Sequence, residues 1–346
     1  MTERGRFWAF TALTLTLLTV AAAVLAPIPF VARSPGPVFD ILGSVDDKQV
    51  LQIDEAKSYP TTGVLDMTTV AESGGSENPM NVGTALMGLV APDTSVLPDE
   101  NPAGDRQADE AVFDASQSQA LGAAAKYLER PLTSEVLVVQ VVPGGAAEGT
   151  LEPGDVILAI DGERITDREE LVAAIRAEPV GTTFRLRIRR DGEATTVAVT
   201  SQADDQEPDR PLVGVLAENR YRSDFTATVN LDGIGGPSAG LMLSLGMVDK
   251  LTPGDLLGGR RIAGTGTIDG DGNVGPIGGI DKKMIAAQDA GAELFVAPYD
   301  NCPEVVAAQP EGLQVVPVRT LDETVTVLTK WQANTPLSEC PRTGDE

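Results

Sequence analysis

The stretch FWAFTALTLTLLTVAAAVLAPIPFVA, from Phe7 to Ala32, carries no charge and constrains this chain more than any other feature. About 20 apolar residues rising 1.5 Å each cross the hydrocarbon core of a bilayer, so the run is long enough to span one. Arg4 and Arg6 precede it, and only Arg33 follows closely. Basic residues stay on the cytoplasmic side, which places the N-terminus inside and everything after the run outside. The rival is a cleaved signal peptide, for which Ala21-Ala22-Ala23 and Leu25-Ala26 offer small residues. The run exceeds an ordinary signal-peptide core, which favours an uncleaved anchor. Residues 1–34 are therefore expected to form a cytoplasmic tip and a single transmembrane helix in the cell membrane.

The rest of the 346 residues is too long for one ordinary core and suggests two domains. Hydrophobic residues at 42% and charged residues at 22% belong to a folded protein. A net charge of -25 repels phosphates and argues against a nucleic-acid partner. There is no histidine. That removes Ser-His-Asp triads, Cys-His dyads, HExxH zinc sites and histidine-ligated haem. With two cysteines, a structural zinc site of the usual Cys/His kind is also excluded, and no metal or cofactor is expected. Outside the cell, Cys302 and Cys340 have two readings. They pair, closing a loop worth about 4 kcal/mol in the chain-entropy model, or they stay as separate thiols.

Along residues 35–128, GVLDMTTV at 63–70 alternates like a strand, 91–109 reads as loop, and AVFDASQSQALGAAAKYL at 111–128 has helical spacing. Residues 129–202 form a β-rich unit. VLVVQVV is a buried strand, VILAIDGERI a strand ending in an Asp-Gly turn, and DREELVAAIRA an amphipathic helix. FRLRIRRDGEATTVAVT is a hairpin turning at Asp191-Gly192. Carried by PGGAAEGTLEPGDVILAIDGERI, this unit resembles a PDZ domain. The resemblance implies a groove between a strand and the 167–177 helix that takes an extended peptide or a C-terminus. Val138, Val139, Leu171 and Ile175 are expected to face it. Residues 203–335, opening with LVGVLAE and FTATVNL, alternate strands and helices as an α/β (α+β) domain, and 336–346 is a tail.

In the last domain, Gly235-Gly236-Pro237-Ser238-Ala239-Gly240 precedes an apolar helix. Pro237 suits the first helical position and Gly236 the N-cap, which sets Ser238 one residue inside the helix. Helix N-termini favour anions, and the N–H groups of Gly236 and Ser238 are placed to line an oxyanion hole. Without histidine, a serine nucleophile needs another base. At roughly 100° per residue, Ile280, Met284, Ala287 and Gly291 share one stripe of a 280–292 helix. Lys283 falls inside that apolar arc, whereas Lys282 points the other way, near Asp289. Burial disfavours the ammonium and lowers its pKa, so a neutral Lys283 amine can take the serine proton. The alternative is that Lys283 snorkels to the surface.

GPSAG, a Thr-Gly strand about 25 residues on, PIGGIDKK, and a helix ending near AGA together resemble the proteolytic domain of Lon proteases. The resemblance implies Ser238 as catalytic serine, Lys283 as catalytic lysine and Thr265 as the threonine that holds the amine. With the anchor and the PDZ-like unit, the chain resembles the membrane-anchored YlbL-type branch of that family. It departs from full Lon in lacking a GxxxxGK[ST] P-loop, hence the ATPase motor. Gly235 also stands where soluble Lon proteins often carry Asp or a larger residue. The family fold needs strands and a helix before GPSAG, which GVLDMTTV and SQALGAAAKYL would supply, making the PDZ an insertion. The expectation is an ATP-independent, extracytoplasmic serine endopeptidase. Its PDZ would recruit or gate unfolded or membrane-associated protein substrates, and ring-like homo-oligomers are implied without a number. The rival is a peptide-binding PDZ scaffold with a silent protease domain. Gly270-x-Gly272-x-x-Gly275 and DGDGN at 269–273 spell dinucleotide and calcium motifs but are better read as Asp-Gly turns.

Overall fold

Two separate sheets organise the chain, and one of them draws strands from both ends of the sequence. The computed structural model describes residues 7–8, 11, 14–16, 24–45, 47–75, 79–99, 106–231 and 233–342. The main elements before residue 130 are β1 (Phe30–Asp40), β2 (Leu51–Asp54), β3 (Val64–Gly74), α1 (Val82–Val90), β4 (Ser95–Pro98) and α2 (Arg106–Tyr127). Next come β5 (Leu132–Val141), β6 (Val156–Ile160), α3 (Arg168–Arg176), β7 (Thr183–Arg190), β8 (Glu193–Thr200) and β9 (Val215–Ser223). The remainder is β10 (Thr226–Val229), α4 (Gly240–Leu251), β11 (Arg261–Gly264), α5 (Ile280–Asp289), β12 (Leu294–Pro298), α6 (Cys302–Ala308), β13 (Gln314–Val318) and α7 (Leu321–Gln332).

The first sheet has the order β13-β12-β11-β3-β1-β4. β11 runs parallel to β3 and β12, and β12 parallel to β13; β1 and β4 are antiparallel additions. Parallel neighbours need a crossover, and α5 lies in the one between β11 and β12. Strands from before and after residues 132–223 thus share one sheet, and those residues form a unit inserted between them. α4 is buried along its whole length, which explains why its residues before Asp249 and Lys250 are apolar on nearly every side. Ala120, Ala123, Ala124 and Ala125 of α2 pack in the same core, where small side chains let helices approach closely.

The inserted unit has its own sheet, β8-β7-β6-β5-β9, and its own core, including Val136, Ile157, Leu186 and Ile188. The β7–β8 hairpin turns at Asp191 and Gly192, whose φ values of 49° and 85° suit the two-residue turn that follows strand twist. α3 starts where the Asp167 side chain accepts from Glu170 N at 2.8 Å.

Two boundaries differ from the sequence expectation. LVGVLAE was expected to open the C-terminal domain, yet it leads into β9, which pairs with β5 from Val215↔Val141 to Ser223↔Leu132. Val213 and Ala217 join the inserted core. An edge strand needs only one apolar face, so its sequence does not reveal which sheet it serves. At the other end, Phe30, Val31 and Ala32 of the apolar run belong to β1, with Val31 and Ala32 buried. Half of the expected tip and anchor, including residues 1–6 and 17–23, lies outside the described residues. Among the described residues, no helix is long and apolar enough to cross a membrane.

Cys302, opening α6, is bonded to Cys340 of the tail, with 5.2 Å between their Cα atoms. Both are buried in a cluster with Ile280 and Met284 of α5.

Candidate active site

α4 begins at Gly240 with Ala239 as its N-cap, so Ser238 stands in the turn just ahead of the helix rather than inside its first turn. Helix ends shift by a residue or two where the local backbone offers another start. Here Gly236 takes φ 81°, a left-handed conformation open to glycine, and this turns the chain so that Ser238 faces the cleft. The turn is fixed from both sides. Ser238 O accepts from Gly266 N at 2.9 Å and from Thr265 Oγ1 at 3.0 Å, and Leu241 N donates to Gly266 O at 3.0 Å. Ser116 Oγ of α2 donates to Pro237 O at 3.0 Å. Among the described residues, neither Gly236 N–H nor Ser238 N–H donates to another protein group. They are free for a ligand oxygen.

α5 supplies the second half of the site. Gly279 precedes it at φ 68°, and a Cβ there would lie 2.8 Å from Val70 Cγ2, so the helix starts hard against β3. Ile280, Lys283, Met284 and Ala287 are buried. Lys283 is 3% exposed and Thr265 is fully buried. Lys283 Nζ lies 2.7 Å from Ser238 Oγ and 3.0 Å from Thr265 Oγ1. Lys282, expected on the opposite face, is also buried, at 7% exposed, and its ammonium pairs with Asp281 at 3.1 Å. The structure thus brings Ser238, Lys283 and Thr265 together from three separate segments, with Gly236 on the wall of the same cleft.

Burial lowers the Lys283 pKa to about 8. At pH 7 an ordinary lysine is about one part in 3,000 neutral; a value near 8 raises that to about one in ten. In the neutral form, one amine N–H donates to Thr265 Oγ1, whose own hydroxyl donates to Ser238 O. The amine lone pair is then left for the Ser238 hydroxyl proton. Any step needing this free amine should rise about tenfold from pH 7 to pH 9 and level off above it, because the base must be deprotonated. A pH–rate profile of kcat/KM that is flat across this range would rule Lys283 out as the base.

The cleft is about 530 Å³. β3 pairs with β11 only as far as Met67↔Gly264, and its residues 68–72 run on along the cleft wall. Arg33 and Glu72, paired at 2.8 Å, also line it. A second groove, about 250 Å³, runs between α3 and residues 211–217. Leu171 and Ile175 line it, but Val138 and Val139 do not. β5, which carries them, is hydrogen-bonded on one side to β6 and on the other to β9, so no strand can be added to it. β9 is the outer strand and supplies that wall instead.

Residues 232–330 match the Lon protease (S16) C-terminal proteolytic domain, and residues 120–200 match the PDZ domain. The chain carries a Lon-type serine protease domain and a PDZ domain. Lon protease 2 of Bacillus subtilis is 33% identical over 124 residues, covering 34% of this chain and 21% of that protein. The Lon protease of Vibrio parahaemolyticus is 38% identical over 98 residues, covering 27% of this chain and 12% of that protein. The archaeal Lon protease of Methanocaldococcus jannaschii is 36% identical over 92 residues, covering 27% and 14%. The chain thus spans 21% or less of the length of these relatives. The PDZ domain of an SdrC-like protein from Listeria innocua is 26% identical, covering 24% of this chain and 92% of that one, with a TM-score of 0.23. A solution structure from Geobacillus thermodenitrificans is 32% identical, covering 24% and 94%, with a TM-score of 0.22.

Ser116 is the site residue that sequence reasoning missed. It lies in the Lon-type unit but outside the matched span, and a serine in an alanine-rich helix carries no signal of its own. Gln119, one turn on, donates to Asn219 O of β9 at 3.1 Å and accepts from Gly270 N at 2.8 Å. α2 therefore touches the Ser238 turn and the PDZ edge strand at once.

Proposed function

We propose that this chain is an ATP-independent, membrane-anchored serine endopeptidase whose catalytic part faces outside the cell. The observation that carries the proposal is the 2.7 Å approach of Lys283 Nζ to Ser238 Oγ in a chain without histidine. Ser238 attacks the peptide carbonyl as Lys283 takes its proton. The oxyanion is held by the N–H groups of Gly236 and Ser238. Lys283 then protonates the leaving amine, and water releases the acyl-enzyme. Thr265 positions the amine. These 346 residues contain no GxxxxGK[ST] motif, and the substrates we propose are unfolded or flexible segments. The test is cleavage of an unfolded protein by the full chain in detergent, with ATP or a chelator added. Rates unchanged by either and lost in Ser238→Ala are expected; cleavage that survives Ser238→Ala sinks the proposal.

The PDZ recruits those substrates by adding a peptide strand to residues 213–217, beside α3. Val172 of α3 and the exposed Leu216 both line this groove. Val172→Glu with Leu216→Glu should weaken binding of a C-terminal peptide roughly tenfold, since two charges oppose an apolar ligand. Thermal stability should stay unchanged, because neither residue is buried. Unaltered peptide affinity, by fluorescence anisotropy, would place the binding surface elsewhere.

A further inference from the structure

α1 carries its apolar residues on the wrong side for a soluble helix. Ala85 is buried, and Gly88 faces the body so closely that a Cβ there would lie 2.8 Å from Val96 Cγ2. The large residues point away: Leu86, Met87, Leu89 and Val90 are 57%, 72%, 64% and 83% exposed. Helices on soluble surfaces do the reverse. From Met80 to Pro92 no residue is charged, in a chain that is 22% charged.

The place of this helix says what covers it. Ile28 N donates to Met80 O at 2.8 Å, and Pro27 and Asn81 form an isolated bridge. A Cβ at Gly83 would lie 3.2 Å from Val24 Cγ1. α1 is therefore seated against the point where the uncharged run from Phe7 to Ala32 meets the folded body. Leu25, in that run, is itself 68% exposed, which continues the apolar surface.

We propose that α1 lies on the bilayer beside the anchor, with Leu86, Met87, Leu89 and Val90 at the boundary of headgroups and acyl chains. The proposal rests on the anchored reading above. It adds a second membrane contact, which fixes the tilt of the sheet that begins at Phe30. Arg33, on the cleft wall, lies about 10 Å along β1 from Phe30 at roughly 3.3 Å per residue. The cleft then opens near the lipid surface, where membrane-proximal segments of other proteins are in reach.

The test uses the full chain reconstituted in phosphatidylcholine vesicles with plain or brominated acyl chains. Trp8→Phe removes the anchor's indole, and Trp331, 7% exposed, is a constant background. Met87→Trp and Val90→Trp report on α1, and Thr195→Trp, on the exposed β8, is the control. Flotation of the same samples scores the anchor separately. The expected result is flotation with blue-shifted emission at positions 87 and 90, quenched roughly twofold by bromine, and no quenching at 195. Flotation with water-like, unquenched emission at 87 and 90 overturns the seat on the bilayer and leaves the anchor standing. Failure to float overturns both. A blue shift that grows with protein concentration and ignores bromine overturns the lipid assignment in favour of a second copy covering α1.

Discussion

Ser238→Ala and Lys283→Met should each lower kcat/KM for an unfolded substrate by at least about 10³-fold, because nucleophile and base act as a unit. Lys282→Ala should leave the rate within a few-fold of wild type, since Lys282 pairs with Asp281 and, unlike Lys283, does not line the cleft. Thr265→Val should fall between these limits. It removes a hydrogen-bond acceptor from the amine and a donor to Ser238 O, so the loss is of orientation rather than of the proton acceptor. The two null variants are separated by stability. A lysine held at about 8 instead of 10.5 makes the folded state bear a buried cation at neutral pH. At 1.36 kcal/mol per unit this costs about 3 kcal/mol. The unfolded chain binds the extra proton between pH 8 and 10.5, so stability contributed by this group rises with pH through that window. Lys283→Met removes the cost and loses two hydrogen bonds, for a net gain of about 1–2 kcal/mol at pH 7. Ser238→Ala, which keeps the cation, should show no such gain. Denaturant melts at pH 7 check this, and a Lys283→Met protein less stable than wild type would mean that the amine is already comfortable as a cation.

The part of the site legible in the sequence is the part encoded locally. The stripe of Ile280, Met284 and Ala287 already put Lys283 on a buried face, although the same spacing put Lys282 outside and the fold buries it too. The Asp191-Gly192 turn was legible for the same reason. What was not legible depends on partners far along the chain. β9 belongs to the PDZ sheet only because β5, some eighty residues earlier, offers it an edge. Its own sequence, VLAENRYRS, is polar enough to serve any half-exposed strand. That single misplacement moved the expected groove wall from β9 to Val138 and Val139. Ser116 and α1 escaped for a related reason. A hydroxyl within an alanine-rich helix and an apolar stretch without charges each have many uses, and only the neighbours they meet select one.

Replacing both bonded cysteines, Cys302→Ala with Cys340→Ala, should lower stability by about 4 kcal/mol, the chain-entropy value for a 38-residue separation. For a chain of this size that corresponds to a fall in Tm of roughly 5 °C. The bond does more than close a loop. Both residues are buried against Ile280 and Met284, the residues that flank Lys283 on the buried face of α5. The tail from 335 to 342 packs there through Cys340, and without the bond its attachment depends on a few apolar contacts. Opening of that edge frees the underside of α5, and the 2.7 Å approach of Lys283 to Ser238 depends on α5 staying seated. Activity at 25 °C should therefore change little, while the half-life of activity on warming should shorten along with Tm. Reductant should reproduce the effect in the wild type and add nothing in the double variant. Alkylation without reductant provides the direct check. A wild-type protein that takes two alkyl groups while still folded, with a Tm indifferent to reductant, would show that the pair is not bonded and that the tail is held by packing alone.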